Sequence, residues 1–254
     1  MIGDIKPIVV DGVERWTGCK PRTTKLGERF PIFGGPGSDV PEPMTDSELA
    51  EYADNNLIPY HWHTVDQGSQ GTCCISAGCG AVMLCRELAG LERVVLSQAS
   101  LYAFDGIDSR GNLIARTRDD GQAIDTCLEL FSKVGACPVD VINQYDWQGY
   151  KRGNWPDDWR ETAKQYRITE AWDAPSARHM RTGVALGYVG IYGLRSHAVV
   201  RISQTEDLNS WGPGWGRNGI GQWAKNMQDL DNGIRQYGGW LLRVTTDPTG
   251  DGDI

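Results

Sequence analysis

Small and apolar residues recur at Ile75, Cys79, Val82, Met83 and Leu88, just after the turn residues Gly68 and Gly71. That spacing predicts a buried amphipathic helix opening at Cys73 and closed by Gly90. Residues 96–104 read as a second, short helix capped by Ser97. A polar loop over 105–120 leads to Gly121, after which Ile124, Cys127, Leu128, Phe131 and Val134 return at helical spacing until Gly135. Residues 143–166 are dense in aromatic and charged side chains, including Trp147, Trp155 and Trp159, and read as an aromatic flap packed on its own domain.

Beyond Pro175, Met180 and Val184 suit a helix that Gly187 ends. Residues 188–192 and 198–202 then read as strands with Gly193 between them, and further strands are expected at 221–223 and 239–245. Helices first and strands second predict an α+β domain of two lobes rather than alternating βαβ units.

Upstream, residues 1–56 look like an extension. Pro31, Gly34, Gly35, Pro36, Gly37, Pro41 and Pro43 are loop chemistry. Thr45 and Glu48 are spaced as a capping box for a short helix with Leu49 and Tyr52 on one side. Such an arm could cover a cleft, anchor a protein partner or wrap the domain, and wrapping is the first expectation. The main domain is then 57–246, with an acidic tail at 247–254. The alternating Asp247, Asp251 and Asp253 faintly suggest a calcium loop, but the remaining ligands and closing glutamate are missing.

Composition narrows the function. A net charge of −8 offers no basic stripe to neutralise phosphates, so nucleic acid is not the expected partner, and Lys151 and Arg152 read as solvated surface. The amino terminus lacks the uninterrupted apolar run of a secretory signal, and no run is long enough to span a membrane. The 7 cysteines, at 19, 73, 74, 79, 85, 127 and 137, form an odd set without CxxC spacing. These features predict a reduced, intracellular compartment, or incorporation in a particle, with no disulfide framework. Zinc is not expected from only 4 histidines with no HExxH pair, and no cofactor is implied.

Cys73 acquires a chemical reading from its position. At a helix N-terminus, unpaired N–H groups and the positive end of the dipole favour a thiolate. The alternative is simple packing, since free cysteine is among the most buried residue types. Two later stretches bear on this: SHAVV, placing His197 at a strand start, and NSWGPGWGRNGIGQW, with Asn209 ahead of a glycine and tryptophan turn.

With Gln67 to Cys73, His197 with Ala198, and Asn209 to Gly219 in that order, the chain resembles the papain-like cysteine peptidases over roughly residues 57–245. The segments at 96–102 and 119–138 also resemble that family. The resemblance implies a two-lobed fold with a cleft between a mostly helical lobe and an antiparallel β lobe. It implies Cys73 as nucleophile, His197 as general acid/base, Asn209 as the residue orienting the imidazole and Gln67 as the oxyanion-hole side chain. Gly121 matches the backbone that hydrogen-bonds an extended peptide, and Trp211 the aromatic shielding the Asn–His pair. A peptide or protein substrate is the implied partner.

The chemistry asks for these residue types on its own terms. A thiolate must be generated near neutral pH by a base, and the base must be held in the productive tautomer. Several departures accompany the match. The Cys73–His197 spacing falls slightly short of the roughly 130 to 150 residues usual for such enzymes. Gln70 stands where many secreted members carry a disulfide cysteine, Cys74 replaces the usual tryptophan, and the segment between His197 and Asn209 is short. No long helical propeptide is apparent before Leu57, which argues against ordinary zymogen cleavage. His61, His63 and His179 lack matching contexts. Two other functions remain open: a structural or adaptor protein using its arm for assembly, as in a virus-like particle, and another acyl transfer from the same residues.

Overall fold

The helix carrying Cys73 is apolar or small nearly all round, and a helix of that kind belongs in a core. In a computed structural model, which describes residues 7–10, 12–36 and 40–244, each residue from Cys73 to Cys85 is buried. The acidic tail and Thr245 lie outside the described residues.

Taken in order, the described residues begin with the antiparallel pair β1 (Ile8–Val10) and β2 (Val13–Arg15), followed by β3 (Cys19–Lys20). Helix α1 (Asp46–Glu51) opens on Thr45, whose hydroxyl accepts from Glu48 N while the Glu48 carboxylate accepts from Thr45 N at 2.7 Å, the reciprocal capping box its sequence predicts. The long helix α2 (Cys73–Leu88) follows, then α3 (Ala99–Tyr102). The stretch read as a polar loop contains a bulged hairpin, β4 (Phe104–Ile107) with β5 (Leu113–Ala115). Strand β6 (Gln122–Ala123) runs into α4 (Ile124–Lys133).

Helix α4 packs on α2 where Gly78 faces the Phe131 ring, and a Cβ at Gly78 would collide with that ring. The aromatic segment forms α5 (Trp147–Lys151) and α6 (Trp159–Lys164). Trp155 stacks on both Phe104 and Trp159, at 5.3 and 4.2 Å, so the flap is folded onto its own lobe.

The second lobe contains β7 (Glu170–Asp173), α7 (Ala177–Ala185), β8 (Val189–Leu194), β9 (His197–Arg201), β10 (Asp207–Leu208), β11 (Ile220–Gly221), α8 (Met227–Tyr237) and β12 (Gly239–Arg243). Its six-stranded sheet has the order β11-β10-β9-β8-β12-β7 with every neighbour antiparallel. Successive side chains of a strand point to opposite faces. Ile191, Val200, Trp240 and Leu242 accordingly join the α2 core, while Tyr192, Val199 and Leu241 join a second core with Met180, Leu230 and Ile234. Burial on both faces explains why these strands read as continuous apolar runs rather than alternating ones.

Three sequence expectations change here. Gly193 lies inside β8, and the turn falls at Arg195–Ser196. Gly193 is required because its missing side chain leaves room for the Tyr237 side chain and Cys19 Sγ. Helix α8 and strand β7 were not anticipated: α8 is polar apart from a narrow stripe of Leu230, Gly233, Ile234 and Tyr237, and it is opened by Asn226, whose side chain accepts from Asp229 N at 2.9 Å. Helix α3 begins at Ala99, after Gln98 rather than Ser97.

Residues 12–36 are built into both lobes. Cys19 and Phe30 belong to the α2 core and Phe33 to the other. Phe33 N donates to Asp173 O at 2.9 Å, and Arg22 pairs with the buried Asp173 carboxylate at 3.1 Å. Among the described residues, no helix is long and apolar enough to cross a membrane.

Candidate active site

Cys73 is the first residue of α2, so its N–H is among those with no intrahelical acceptor. His197 is the first residue of β9, paired with Leu194 of β8 across a two-residue turn. Both turn residues, Arg195 and Ser196, have positive φ (54° and 59°). Tight hairpins favour that conformation, which glycine and asparagine adopt most easily. For other residues it costs on the order of 1–3 kcal/mol each. This strained turn sits immediately before His197. Asn209 follows β10, which pairs with β9, so the sheet register carries Asn209 back beside His197.

The resulting geometry is specific. His197 Nε2 lies 2.7 Å from Asn209 Oδ1, with both residues buried. Since Oδ1 can only accept, this contact places a proton on Nε2 and leaves Nδ1 as the basic nitrogen of the neutral ring. Trp211 stacks on the imidazole at 4.3 Å and an interplanar angle of 21°, and Trp223 meets it edge-on at 5.6 Å. Two indoles thus seal the His–Asn contact from water. The other ring nitrogen, Nδ1, is buried without a hydrogen-bond partner, and the imidazole is near enough to Cys73 to work against the rise of its thiol pKa.

Gln67 is fixed from several sides. Its N–H donates to Ser210 O at 2.9 Å, its Oε1 accepts from Ser210 Oγ at 2.6 Å, and its Nε2 donates to Gln70 O at 2.9 Å. The Ser210 hydroxyl therefore sets which end of the Gln67 amide faces the cleft.

That cleft is occupied by the chain's own arm. Trp16 O accepts from Gln67 Nε2 at 3.2 Å and from Trp211 Nε1 at 3.0 Å. Gly18 N and Cys19 N both donate to Ser196 O, at 3.0 and 2.8 Å, and Gln122 N donates to Gly18 O at 2.8 Å. Strand β3 then runs parallel to β6, with Lys20 paired to Asp120 at 3.1 Å. Gly18 is required at the narrowest point, since a Cβ there would collide with Gly71 O. Gly121 forms the opposite wall, with φ +79° and a backbone so close to Gly18 O that a Cβ would not fit.

Burial reverses one electrostatic expectation. The helix N-terminus favours a thiolate, yet the Cys73 thiol is pushed well above its ordinary range, first by burial and then by the Cys74 thiol, with His197 opposing. Cys74 points elsewhere, donating to Gln122 O at 3.0 Å beneath the β3–β6 pair. The arm residues, Ser196, Ser210 and Trp223 were not found from sequence. Trp16, Gly18 and Cys19 sit in a stretch with no periodicity, and only the tertiary pairing identifies them. Among the described residues, no cluster of three or more His, Cys, Asp or Glu is arranged to hold a metal ion.

The fold is that of the papain-like cysteine proteases: an α+β, two-lobed structure with the long helix of one lobe laid against the antiparallel sheet of the other. Xylellain, a cysteine protease from Xylella fastidiosa, superposes with a TM-score of 0.67 over 91% of this chain and 97% of its own, at 18% identity. The digestive procathepsin L 3 of the Tenebrio molitor larval midgut matches with a TM-score of 0.57 over 90% of this chain and 76% of its own, at 15% identity. A cysteine protease from Carica candamarcensis in complex with E-64 matches with a TM-score of 0.51 over 74% of this chain and 95% of its own, at 16% identity. No protein-family profile and no curated protein sequence matches, so the likeness is one of fold.

Proposed function

We propose that the protein is a thiol-dependent peptidase that cleaves peptide bonds through a cysteine acyl-enzyme. The observation that carries this reading is the His197 Nε2···Asn209 Oδ1 contact of 2.7 Å, sealed by Trp211, on an imidazole that borders Cys73. A base held in one tautomer beside a thiol is the arrangement that nucleophilic catalysis by cysteine requires.

In the proposed reaction, the Cys73 thiol gives its proton to His197 Nδ1 and the thiolate attacks the substrate carbonyl carbon. The developing oxyanion is held by the Cys73 N–H and Gln67 Nε2, and one such donor is worth about 3–4 kcal/mol. His197 then returns the proton to the leaving amine. Water, activated by the same imidazole, hydrolyses the thioester. Substrate has access only when Trp16–Cys19 leave the cleft, so the arm-bound form is latent.

Labelling by a peptidyl epoxide tests the reading. It predicts one label per chain, lost in Cys73→Ala, once the arm is displaced. No labelling at any pH with the arm displaced would exclude it. The arm also favours a second reading, a non-catalytic adaptor whose cleft is permanently filled. That reading predicts no peptide hydrolysis after arm displacement, and assembly that depends on residues 7–36 but not on Cys73.

A further inference from the structure

The two walls that grip the arm are joined to one another by side chains that play no part in the proposed reaction. Gly71, two residues before Cys73, donates its N–H to Asp119 Oδ1 at 3.0 Å. The Tyr102 hydroxyl donates to the same oxygen at 2.5 Å. On the other wall, Gly121 N donates to that hydroxyl at 3.2 Å. One carboxylate oxygen and one phenol therefore tie the amide of Gly71 to the amide of Gly121.

Arg116, fully buried, holds the assembly from behind. Its Nε donates to Tyr102 O at 2.6 Å, and its two terminal nitrogens donate to Gly121 O at 2.9 Å and Phe104 O at 3.2 Å. Its guanidinium lies 4.0 Å from the centre of the Tyr102 ring, and its charge is met by Asp105 at 3.2 Å and Asp120 at 3.3 Å. A buried guanidinium with several acceptors in fixed directions is a rigid joint, because its fork is planar and always charged. Burial raises the Tyr102 phenol above its ordinary range, so the hydroxyl stays a donor.

We propose that Tyr102 and Asp119, braced by Arg116, are positioning residues that set the separation of Gly71 and Gly121 and so determine how an extended chain is gripped beside Cys73. The need for such a device follows from the tightness of the gap. Gly18 lies backbone to backbone against both walls, with no room for a methyl group on Gly18 or on Gly121. The same network engages both backbone groups of Gly121, the backbone expected from sequence to bond an extended chain, and the bond to the seated chain comes instead from Gln122 N, to Gly18 O at 2.8 Å. A small widening of the gap would break that bond and leave the rest of the site untouched. The grip on the arm stands independently of catalysis, whereas the grip on substrate rests on the peptidase reading.

Tyr102→Phe is the informative variant, since it keeps the ring that packs on Trp147 at 5.4 Å and removes only the hydroxyl. Amide hydrogen exchange on the full chain reads the clamp whatever the activity. The expected result is exchange at least about tenfold faster at Gly18, Cys19, Gly121 and Gln122, with the interior of α2 unchanged. Unchanged exchange at those four amides, or equal loosening throughout the molecule, would overturn the proposal. Asp119→Asn, which keeps an acceptor oxygen, is expected to stay close to the parent, and Asp119→Leu to behave like Tyr102→Phe.

The role toward substrate is read with the arm displaced by Gly18→Ala. There Tyr102→Phe is expected to slow a peptidyl epoxide at Cys73 by tenfold or more, yet change the iodoacetamide rate by less than twofold. A parallel fall in both rates would assign Tyr102 a merely structural role. If the Gly18→Ala parent reacts with iodoacetamide but not with the epoxide, the peptidase reading fails, and hydrogen exchange still decides the clamp.

Discussion

The Trp16 carbonyl accepts a hydrogen bond from Gln67 Nε2 at 3.2 Å, so the donor proposed to hold an oxyanion already holds a carbonyl of its own chain. Further contacts that seat residues 16–19 are made by Trp211, by Gln122 and twice by Ser196. Because Gly18 is the residue without room for a Cβ, Gly18→Ala is expected to expel the arm while leaving Phe30 and Phe33 in their cores. Alkylation of Cys73 by iodoacetamide should then accelerate by tenfold or more. An unchanged rate would mean that the arm does not control access.

Within the site, the contribution of each group should separate by kinetics. With the arm displaced, Cys73→Ala and His197→Ala should each lower peptide hydrolysis by at least about a thousandfold, since nucleophile and base act as a unit. Asn209→Ala leaves both in place but releases the imidazole tautomer held by the 2.7 Å contact. Its expected loss is on the order of 10- to 100-fold in kcat with little change in KM, as befits a group that orients rather than reacts. A comparable loss in KM would argue that Asn209 supports binding instead.

The buried thiols predict a pH dependence with a definite sign. Burial is the first cause that raises Cys73, Cys74 and Cys127, so the folded chain keeps these groups protonated where the unfolded chain ionises them. Below the ordinary thiol pKa of about 8.5 both states carry the protons, and stability does not depend on these groups. Above it the unfolded chain holds fewer protons, so the stability they contribute is lost as pH rises towards the folded values. Urea midpoints should fall above about pH 8.5, and alkylation of Cys73 should begin at lower pH in Gly18→Ala than in the parent. A midpoint that holds steady from pH 8 to 10 would contradict the burial argument.

Beneath the sheet, Arg201 and Asp207 face each other at 3.1 Å with side chains 2% and 0% exposed. Asp207 Oδ2 also accepts from Trp223 N at 2.9 Å and from the Tyr192 hydroxyl at 3.1 Å. Burial nonetheless outweighs these partners and raises the carboxyl above its usual range. Removing one member of a buried pair strands the other charge, so Asp207→Ala should cost about 3–5 kcal/mol in a denaturation experiment. Its bond to Trp223 N links this pair to the indole edge against His197, so alkylation of Cys73 should slow as well.

Much of this molecule was readable one dimension at a time. The spacing of apolar residues placed α2, α4 and α7 because helical burial has a period that a single segment displays. The glycine turn before Cys73 and the strand opening at His197 were likewise local. Helix α8 escaped notice because its buried stripe is narrow on a polar sequence, and β7 because only its pairing with β12 defines it. Gln67, Cys73, His197, Asn209 and Trp211 could be nominated from the resemblance of their motifs to those of the papain-like cysteine peptidases, but their separations depend on sheet register and the packing of α2. Tertiary structure alone decided what lies over them. Residues 16–19 carry no periodic or chemical signal, and their place in the cleft follows from backbone hydrogen bonds and the absence of a Cβ at Gly18. The sequence alone thus determined where the main helices lie, through local periodicity, and which side chains could carry the chemistry, through motifs that resemble a known family's. The fold decided that the thiol is buried and its pKa raised, because burial depends on contacts between segments far apart in the chain.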